Sequence, residues 1–216
     1  MQTKILVATP SHMHYSTQIC TMIEDAAKIR GTGIAKRDPN YIRKKIEEGN
    51  AVIAFDGEKL IGFCYIESWE EKKYIVNSGL IVHPDYRNIG LAKSIKTAIY
   101  KLSKKEYPNA KLFGITTSMA VMKINSDLGY KPVTFSELTK DEAFWNGCKT
   151  CVNYDILQRT EKKMCLCTGM ITDLKTSPPI KTAKEKKTSW DNFLRFLVLR
   201  KIKWQRTVKQ YSITKK

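Results

Sequence analysis

Residues Leu80 to Lys93 are predicted to form the end of a strand, a turn and the start of a helix, an arrangement that can bind an anion. The apolar run from Leu80 to Val82 suits a buried strand, and Pro84 ends that strand because proline has no N–H to donate. A helix is then predicted from Gly90 to about Lys105. The first N–H groups of a helix have no intrahelical acceptor, so a diphosphate could bind there. Gly90 would let it approach the backbone closely.

Four cysteines form a second group of chemical interest. Two residues separate Cys148 from Cys151, and one residue separates Cys165 from Cys167. Four thiolates are the number that a tetrahedral structural zinc site requires, which is one interpretation. The other is four buried free cysteines, since Cys165 and Cys167 on one strand would be awkwardly placed for a single ion. Without an export signal, a disulfide framework is not expected.

Hydrophobic periodicity and turn signals predict the elements that position these residues. Strands are predicted over residues 4–8, 51–55, 60–66, 74–82, 111–116, 130–135 and near 163–171. Helices are predicted over residues 17–29, 40–48, 90–105 and 118–128. Asp38 is the expected N-cap of the second helix, and Asp56-Gly57 is a hairpin signal. The third helix is expected to point five lysines outward: Lys93, Lys96, Lys101, Lys104 and Lys105.

The order Val82-x-Pro84-x-Tyr86-Arg87-x-x-Gly90-x-Ala92 resembles the acyl-coenzyme A signature of the GNAT superfamily of N-acetyltransferases. The resemblance implies an α/β (α+β) fold with a mixed central sheet flanked by helices, in which two central strands separate to admit the pantetheine of acetyl-CoA. It implies that Leu80, Ile81 and Val82 pair with the pantetheine. It also implies a pyrophosphate-binding turn made of Arg87, Asn88, Ile89, Gly90, Leu91, Ala92 and Lys93.

Acetyl transfer to an amine needs a base, a polarised carbonyl and a proton for the leaving thiolate. The resemblance implies that a backbone N–H near Val82 polarises the carbonyl. The position at which some relatives carry a glutamate base falls near Val76, where no carboxylate lies. Candidates for the base are therefore Glu67, Glu70, Glu71, Tyr74, Asn77 and His83. The position of the family's tyrosine acid is Asn125, which can hydrogen-bond the sulfur or orient a water but cannot donate a proton to a thiolate.

The segment between the first two helices is where the family forms its acceptor wall. It contains Arg30 and Arg37 together with two glycines. Arg37 could hold a carboxylate through two hydrogen bonds, which would suit an amino acid such as glutamate. The alternative is that Arg30 is an ordinary cation at a helix end. The chain also resembles bacterial amino-acid N-acetyltransferases, including the type that acetylates glutamate.

Charge is distributed unevenly along the 216 residues. Of the net charge of +17, the last 44 residues contribute 13 Lys and Arg against 3 Asp and Glu. We predict a GNAT domain over residues 1–172 (with a Cys-rich segment at 148–167), a basic linker over 173–188, and a basic amphipathic helix over 189–216. That helix is expected to pack on its own domain or in a homodimer. Membrane or nucleic-acid contact is not expected.

The chain has no apolar run long enough to cross a bilayer, and Ile5 to Ala8 is too short for a signal peptide, so a cytoplasmic protein is expected. We predict an N-acetyltransferase that moves an acetyl group from acetyl-CoA to a primary amine, first of all that of a small amino acid. Two alternatives stay open. One is acetylation of a protein lysine or N-terminus, and the other is a non-catalytic acyl-CoA-binding module whose basic tail binds a partner.

Overall fold

The structure is a computed structural model that describes residues 2–31 and 34–177. These residues form a seven-stranded mixed sheet flanked by helices, which confirms the predicted fold class. The strands are β1 (Thr3–Val7), β2 (Ala51–Asp56), β3 (Lys59–Trp69), β4 (Tyr74–Val82), β5 (Lys111–Thr116), β6 (Lys131–Val133) and β7 (Thr168–Asp173). The helices are α1 (Ser16–Arg30), α2 (Pro39–Glu47), α3 (Leu91–Glu106), α4 (Met119–Asp127), α5 (Glu142–Asn146) and α6 (Tyr154–Arg159).

Short-range signals in the sequence explain several element boundaries. The side chain of Asp38 accepts hydrogen bonds from the backbone N–H groups of Asn40 and Tyr41 and so caps α2. Gly57 has φ of +57° in the tight turn from β2 to β3, a conformation that favours glycine. Ser118 caps α4 by accepting from the N–H of Val121. The cap at Asp38, the turn at Gly57 and a helix that begins at about residue 118 were all predicted, and all are present.

The sheet runs in the order β1-β2-β3-β4-β5-β7-β6. All neighbouring strands are antiparallel except β4 and β5, which are parallel. Two apolar clusters among the described residues pack helices against the sheet. One packs α1 and α2 on β2 and β3 and includes Ile19, Ile42 and Phe63. The other packs α5 on β4 and β5, where the ring centroids of Phe113 and Phe144 lie 5.0 Å apart. Burial of these aliphatic and aromatic side chains fixes both groups of helices on the sheet.

Strand β4 pairs with its two neighbouring strands over different lengths, which opens the sheet on one side of β4. It pairs with β3 from Tyr74 to Val82, but it pairs with β5 only over Tyr74–Val76. From Asn77 onward β4 therefore separates from β5. In the described structure, its backbone groups on that side have no partner in β5. This is the separation of two central strands that the resemblance implied.

A bulge interrupts the pairing of β3 and β4 in the same region. The register shifts between Phe63 and Tyr65, and Gly79 adopts φ of +64° opposite the shift. A Cβ added to Gly79 would lie 2.4 Å from Cε1 of Tyr65. Glycine is therefore required here both by backbone conformation and by the closeness of the Tyr65 ring.

Three features differ from the expectation. Helices α5 and α6 lie in a segment where the sequence pattern predicted neither, since they have only five and six residues. Cys165 and Cys167 lie in the loop before β7, whereas we expected them on the strand. Lys96 was expected to face outward from α3, but its side chain is buried.

The predicted linker beyond residue 177 and the predicted helix at 189–216 lie outside the described residues. Before that point the chain is still packed. Leu174 is buried, and the ammonium of Lys104 on α3 donates to the carbonyl oxygen of Ser177 at 2.8 Å. Among the helices within residues 2–31 and 34–177, none has the length and apolar character needed to cross a bilayer.

Candidate active site

The turn between β4 and α3 presents unpaired backbone donors. After a short 3-10 turn at Pro84–Tyr86, Arg87 and Asn88 lead into Gly90, which is the N-cap of α3. Gly90 has φ of +85°, and no side chain caps the helix at this end. A Cβ at Gly90 would have no heavy atom within 4 Å, so the space before the helix is open. The first N–H groups of α3 therefore have no intrahelical acceptor and can bind an anion.

A cleft of about 500 Å³ lies where β4 leaves β5. Its floor is β4 from Asn77 to Ile81, the part of the strand that pairs with β3 but not with β5. The end of α1, the segment before α2, and the turn after α5 form its other walls. The predicted residues Arg30, Arg37, Glu67 and Asn125 all line this cleft, together with Leu80 and Ile81.

The carboxylate of Glu67 on β3 is held at both of its oxygens. One oxygen accepts from the hydroxyl of Tyr41 on α2, and the other accepts from the hydroxyl of Ser78 on β4. Burial, followed by the adjacent negative charge of Glu67, raises the pKa of Tyr41, so this phenol stays protonated and continues to donate. A carboxylate has about four lone-pair sites, so Glu67 can still accept a further hydrogen bond.

Arg37 is engaged with the protein through two of its three nitrogens. Its Nε donates to the hydroxyl of Tyr65 at 2.5 Å, and its Nη1 donates to the carbonyl oxygens of Ala35 and Lys36 at 2.9 and 3.0 Å. Burial lowers the pKa of Arg37, but nearby Tyr65 and Glu67 outweigh burial, so the pKa is raised and the guanidinium stays charged. Arg37 therefore fixes the cleft wall, and a second nitrogen is not free for the bidentate carboxylate contact that we expected.

Two other predicted residues are placed differently. Arg30 lies at the exposed rim of the cleft and donates from Nη2 to the hydroxyl of Thr117 at 2.9 Å. Tyr74 is only 9% exposed and packs edge-on against Phe113 in the core. It does not line the cleft, so the geometry gives no support to Tyr74 as a base or a water carrier.

Asn125 and Lys96 bring buried polar atoms to the cleft. Asn125 is 1% exposed; its Nδ2 lies 3.8 Å from the sulfur of Met170, and its Oδ1 has no hydrogen-bond partner. Lys96 is 2% exposed, and its Nζ lies 5.5 Å from the ring centroid of Tyr130. Burial lowers the pKa of Lys96, while the nearby Cys64 acts in the opposite direction.

Sequence reasoning missed Lys96, Tyr41, Tyr65 and Ser78. A signal existed for Lys96, because it lies one residue after Ile95 and three before Ile99 and so belongs to the buried stripe of α3. The hydroxyl groups of the other three meet Glu67 and Arg37 only through contacts distant in sequence, which local patterns do not contain.

The four clustered cysteines do not support the zinc interpretation. All four line one small apolar cavity and are free thiols. Burial and the neighbouring cysteines raise the pKa of Cys148 to about 11 and that of Cys167 to about 12. Within the part of the chain that the structure describes, no group of three or more His, Cys, Asp and Glu could hold a metal ion. Cys148, Cys151, Cys165 and Cys167 are therefore partly buried free thiols, and the structure gives no support to a metal centre.

Residues 19–120 match the model of the Acetyltransferase (GNAT) family, a span that contains both the anion-binding turn and Glu67. Residues 19–120 carry a GNAT acetyltransferase domain. The predicted resemblance and the predicted class, an acyl-CoA-dependent N-acetyltransferase, are thereby confirmed at the level of the family. No curated protein matches the sequence.

Solved structures share the fold of this GNAT domain at low identity. N-acetylglutamate synthase from Neisseria gonorrhoeae, complexed with coenzyme A and N-acetyl-glutamate, is 15% identical with a TM-score of 0.57 over 81% of this chain and 35% of that one. Diaminobutyrate acetyltransferase from Paenibacillus lautus, in complex with L-2,4-diaminobutyric acid and coenzyme A, is 10% identical with a TM-score of 0.55, covering 80% and 96%. The ribosomal-protein-S18-alanine N-acetyltransferase from Escherichia coli is 11% identical with a TM-score of 0.52, covering 84% and 99%. The chain thus spans about a third of the synthase and nearly all of the other two.

Proposed function

We propose that this chain transfers the acetyl group of acetyl-CoA to the primary amine of a small amino acid. The observation that carries the proposal is the position of Glu67. Its carboxylate is held by two hydroxyl groups, at the wall of a cleft whose floor is the part of β4 that does not pair with β5. In this proposal the Glu67 carboxylate is the base, and the backbone N–H groups of β4 beside it polarise the thioester carbonyl.

The cofactor would enter along the separation of β4 and β5. Pantetheine amides can pair with the open side of β4 near Leu80 and Ile81, and the N–H groups that begin α3 after Gly90 can bind the pyrophosphate. Solved relatives of this fold hold coenzyme A or acetyl-CoA, which supports this assignment.

In the reaction, Glu67 would take a proton from the ammonium group of the acceptor. The freed amine then attacks the thioester carbon and forms the new C–N bond, the nitrogen loses its second proton to solvent, and the C–S bond breaks with both electrons going to sulfur. A fixed carboxylate is suited to this task because its position does not have to be organised at the moment of transfer.

Positive charge at the cleft favours an acceptor that carries a carboxylate. Arg30, Lys36 and Arg37 all line the cleft, and the structure leaves Arg30 at its exposed rim. Two relatives of the same fold contain an amino acid or an N-acetyl amino acid in their structures, which supports the same choice.

The test is release of coenzyme A thiol from acetyl-CoA by the full-length chain, with free amino acids, their carboxamides and short peptides as acceptors. We expect release with one or a few free amino acids and much less with the matched carboxamides, which lack the negative charge. Release with peptides alone would instead identify a protein acetyltransferase. Heat of acetyl-CoA binding without release to any amine would identify a binding module and contradict the proposal.

A further inference from the structure

Lys96 is the one Lys, Arg, Asp or Glu that is buried in the described part of the chain. It sits in the second turn of α3 between Ile95 and Ile99, where an apolar residue would pack at lower cost. Its ammonium group lies 5.5 Å from the ring centroid of Tyr130, and no carboxylate in the described part of the chain forms an ion pair with it. A buried ammonium group that has an aromatic ring but no carboxylate beside it in the described part of the chain is unfavourable, so its presence points to a use.

Groups on two other parts of the chain lie near Lys96. Cys64 faces it from β3, and the Tyr130 ring lies beside it after α4. The hydroxyl of Tyr130 donates to Oδ1 of Asn77 at 3.3 Å, and Nδ2 of Asn77 donates to Ser103 at 2.8 Å. These polar neighbours satisfy one another, so Lys96 is not needed to complete their hydrogen bonds.

Lys96 reaches the cleft together with Asn125 and the part of β4 that has left β5. The thioester would lie in that part of the cleft under the proposed function, on which the present inference rests. Asn125 cannot supply a proton when the C–S bond breaks, because an amide has no acidic proton. The leaving thiolate therefore needs another donor in the same space.

We propose that Lys96 is the general acid that protonates the sulfur of coenzyme A. As the C–S bond breaks, a proton moves from Nζ of Lys96 to the thiolate, giving the free thiol and an uncharged Lys96 amine. The amine regains a proton from solvent after the thiol leaves. The lowered pKa brings this donor closer to the pKa of an ordinary thiol, about 8.5, which favours the transfer.

The experiment compares full-length wild type with Lys96→Met, which keeps the length and apolar character of the side chain. Lys101→Met is the matched control, since Lys101 is an exposed lysine on the same helix. We expect kcat to fall about 10²-fold or more in Lys96→Met, with the affinity for coenzyme A retained and Lys101→Met unchanged.

A second readout does not depend on turnover. The thiol of bound coenzyme A is titrated by the ultraviolet absorbance of its thiolate, and we expect it to ionise at lower pH in wild type than in Lys96→Met, because a nearby cation stabilises the thiolate. Equal titration in the two proteins would overturn the assignment while leaving the proposed function intact. Coenzyme A that fails to bind wild type would instead overturn the proposed function. If Lys96→Met did not fold, the thiol of coenzyme A bound to wild type would be compared with that of free coenzyme A. Equal pKa values for the bound and free thiol would contradict the inference.

Discussion

Glu67 on β3 and Ser78 on β4 are hydrogen-bonded across the sheet just beyond the point where β4 leaves β5. Val76, the residue of β4 directly opposite Glu67, is the last that pairs with β5. The carboxylate is thus fixed beside the first stretch of β4 that is open to a ligand. Under the proposed function, a base in this position would serve the same purpose as one carried on β4 itself.

Removing the carboxylate of Glu67 should slow catalysis without weakening cofactor binding. We expect Glu67→Gln to lower kcat by about 10²- to 10⁴-fold, because the side chain keeps its size but can no longer accept a proton. The KM for acetyl-CoA should change little. Steady-state thiol release measures both quantities. Glu71→Gln, which changes an exposed carboxylate on the turn after β3, is the control and should match wild type; a fully active Glu67→Gln would exclude Glu67 as the base.

A pair of glycines separates the role of Gly90 in binding from its role in folding. Gly90 and Gly57 both have positive φ, and an added Cβ at either would meet no heavy atom within 4 Å. Alanine at either position should therefore cost the same backbone strain, about 1–2 kcal/mol in the free energy of unfolding. Only Gly90→Ala should also weaken coenzyme A binding, by roughly tenfold, or about 1.4 kcal/mol.

Chemical denaturation and titration calorimetry on both variants test this pair. The proposed pyrophosphate site would be contradicted if the two variants bound coenzyme A equally well. Different losses of folding free energy would instead show that one of the two turns carries a constraint beyond its φ angle.

Stability should depend on pH through Lys96. Its pKa in the folded state lies below the value of 10.5 for an ordinary lysine, so between the two values the unfolded chain binds more protons than the folded one. Folding stability due to this residue therefore rises with pH across that window. We expect Lys96→Met to be more stable than wild type at pH 7, with the difference shrinking as pH approaches 10.5. Thermal unfolding of both proteins over this range measures it, and a constant difference would contradict the lowered pKa.

Local signals predicted much of the fold because they act over a few residues. The cap at Asp38, the turn at Gly57 and the apolar periodicity of β4 each depend on neighbours in sequence, and the structure contains all three. The turn at Gly90 was also predictable, since its backbone conformation requires a glycine before the helix.

The interior of the site was less predictable because it depends on contacts that are distant in sequence. Nothing near Glu67 in the chain indicates that Tyr41 donates to it. Lys96 was expected on the solvent face because lysine is almost never fully buried, and that prediction was wrong. Tyr74 was considered for its hydroxyl group, whereas its ring packs in the core.

Only three residue pairs join β4 to β5, so the sheet has few backbone hydrogen bonds between the block β1 to β4 and the block β5 to β7. A pantetheine arm lying there would contact both blocks. A ligand that binds the folded chain and not the unfolded one stabilises the fold, and here the added contacts would join β4 to β5. The cofactor would then stabilise the sheet as well as supply the acetyl group.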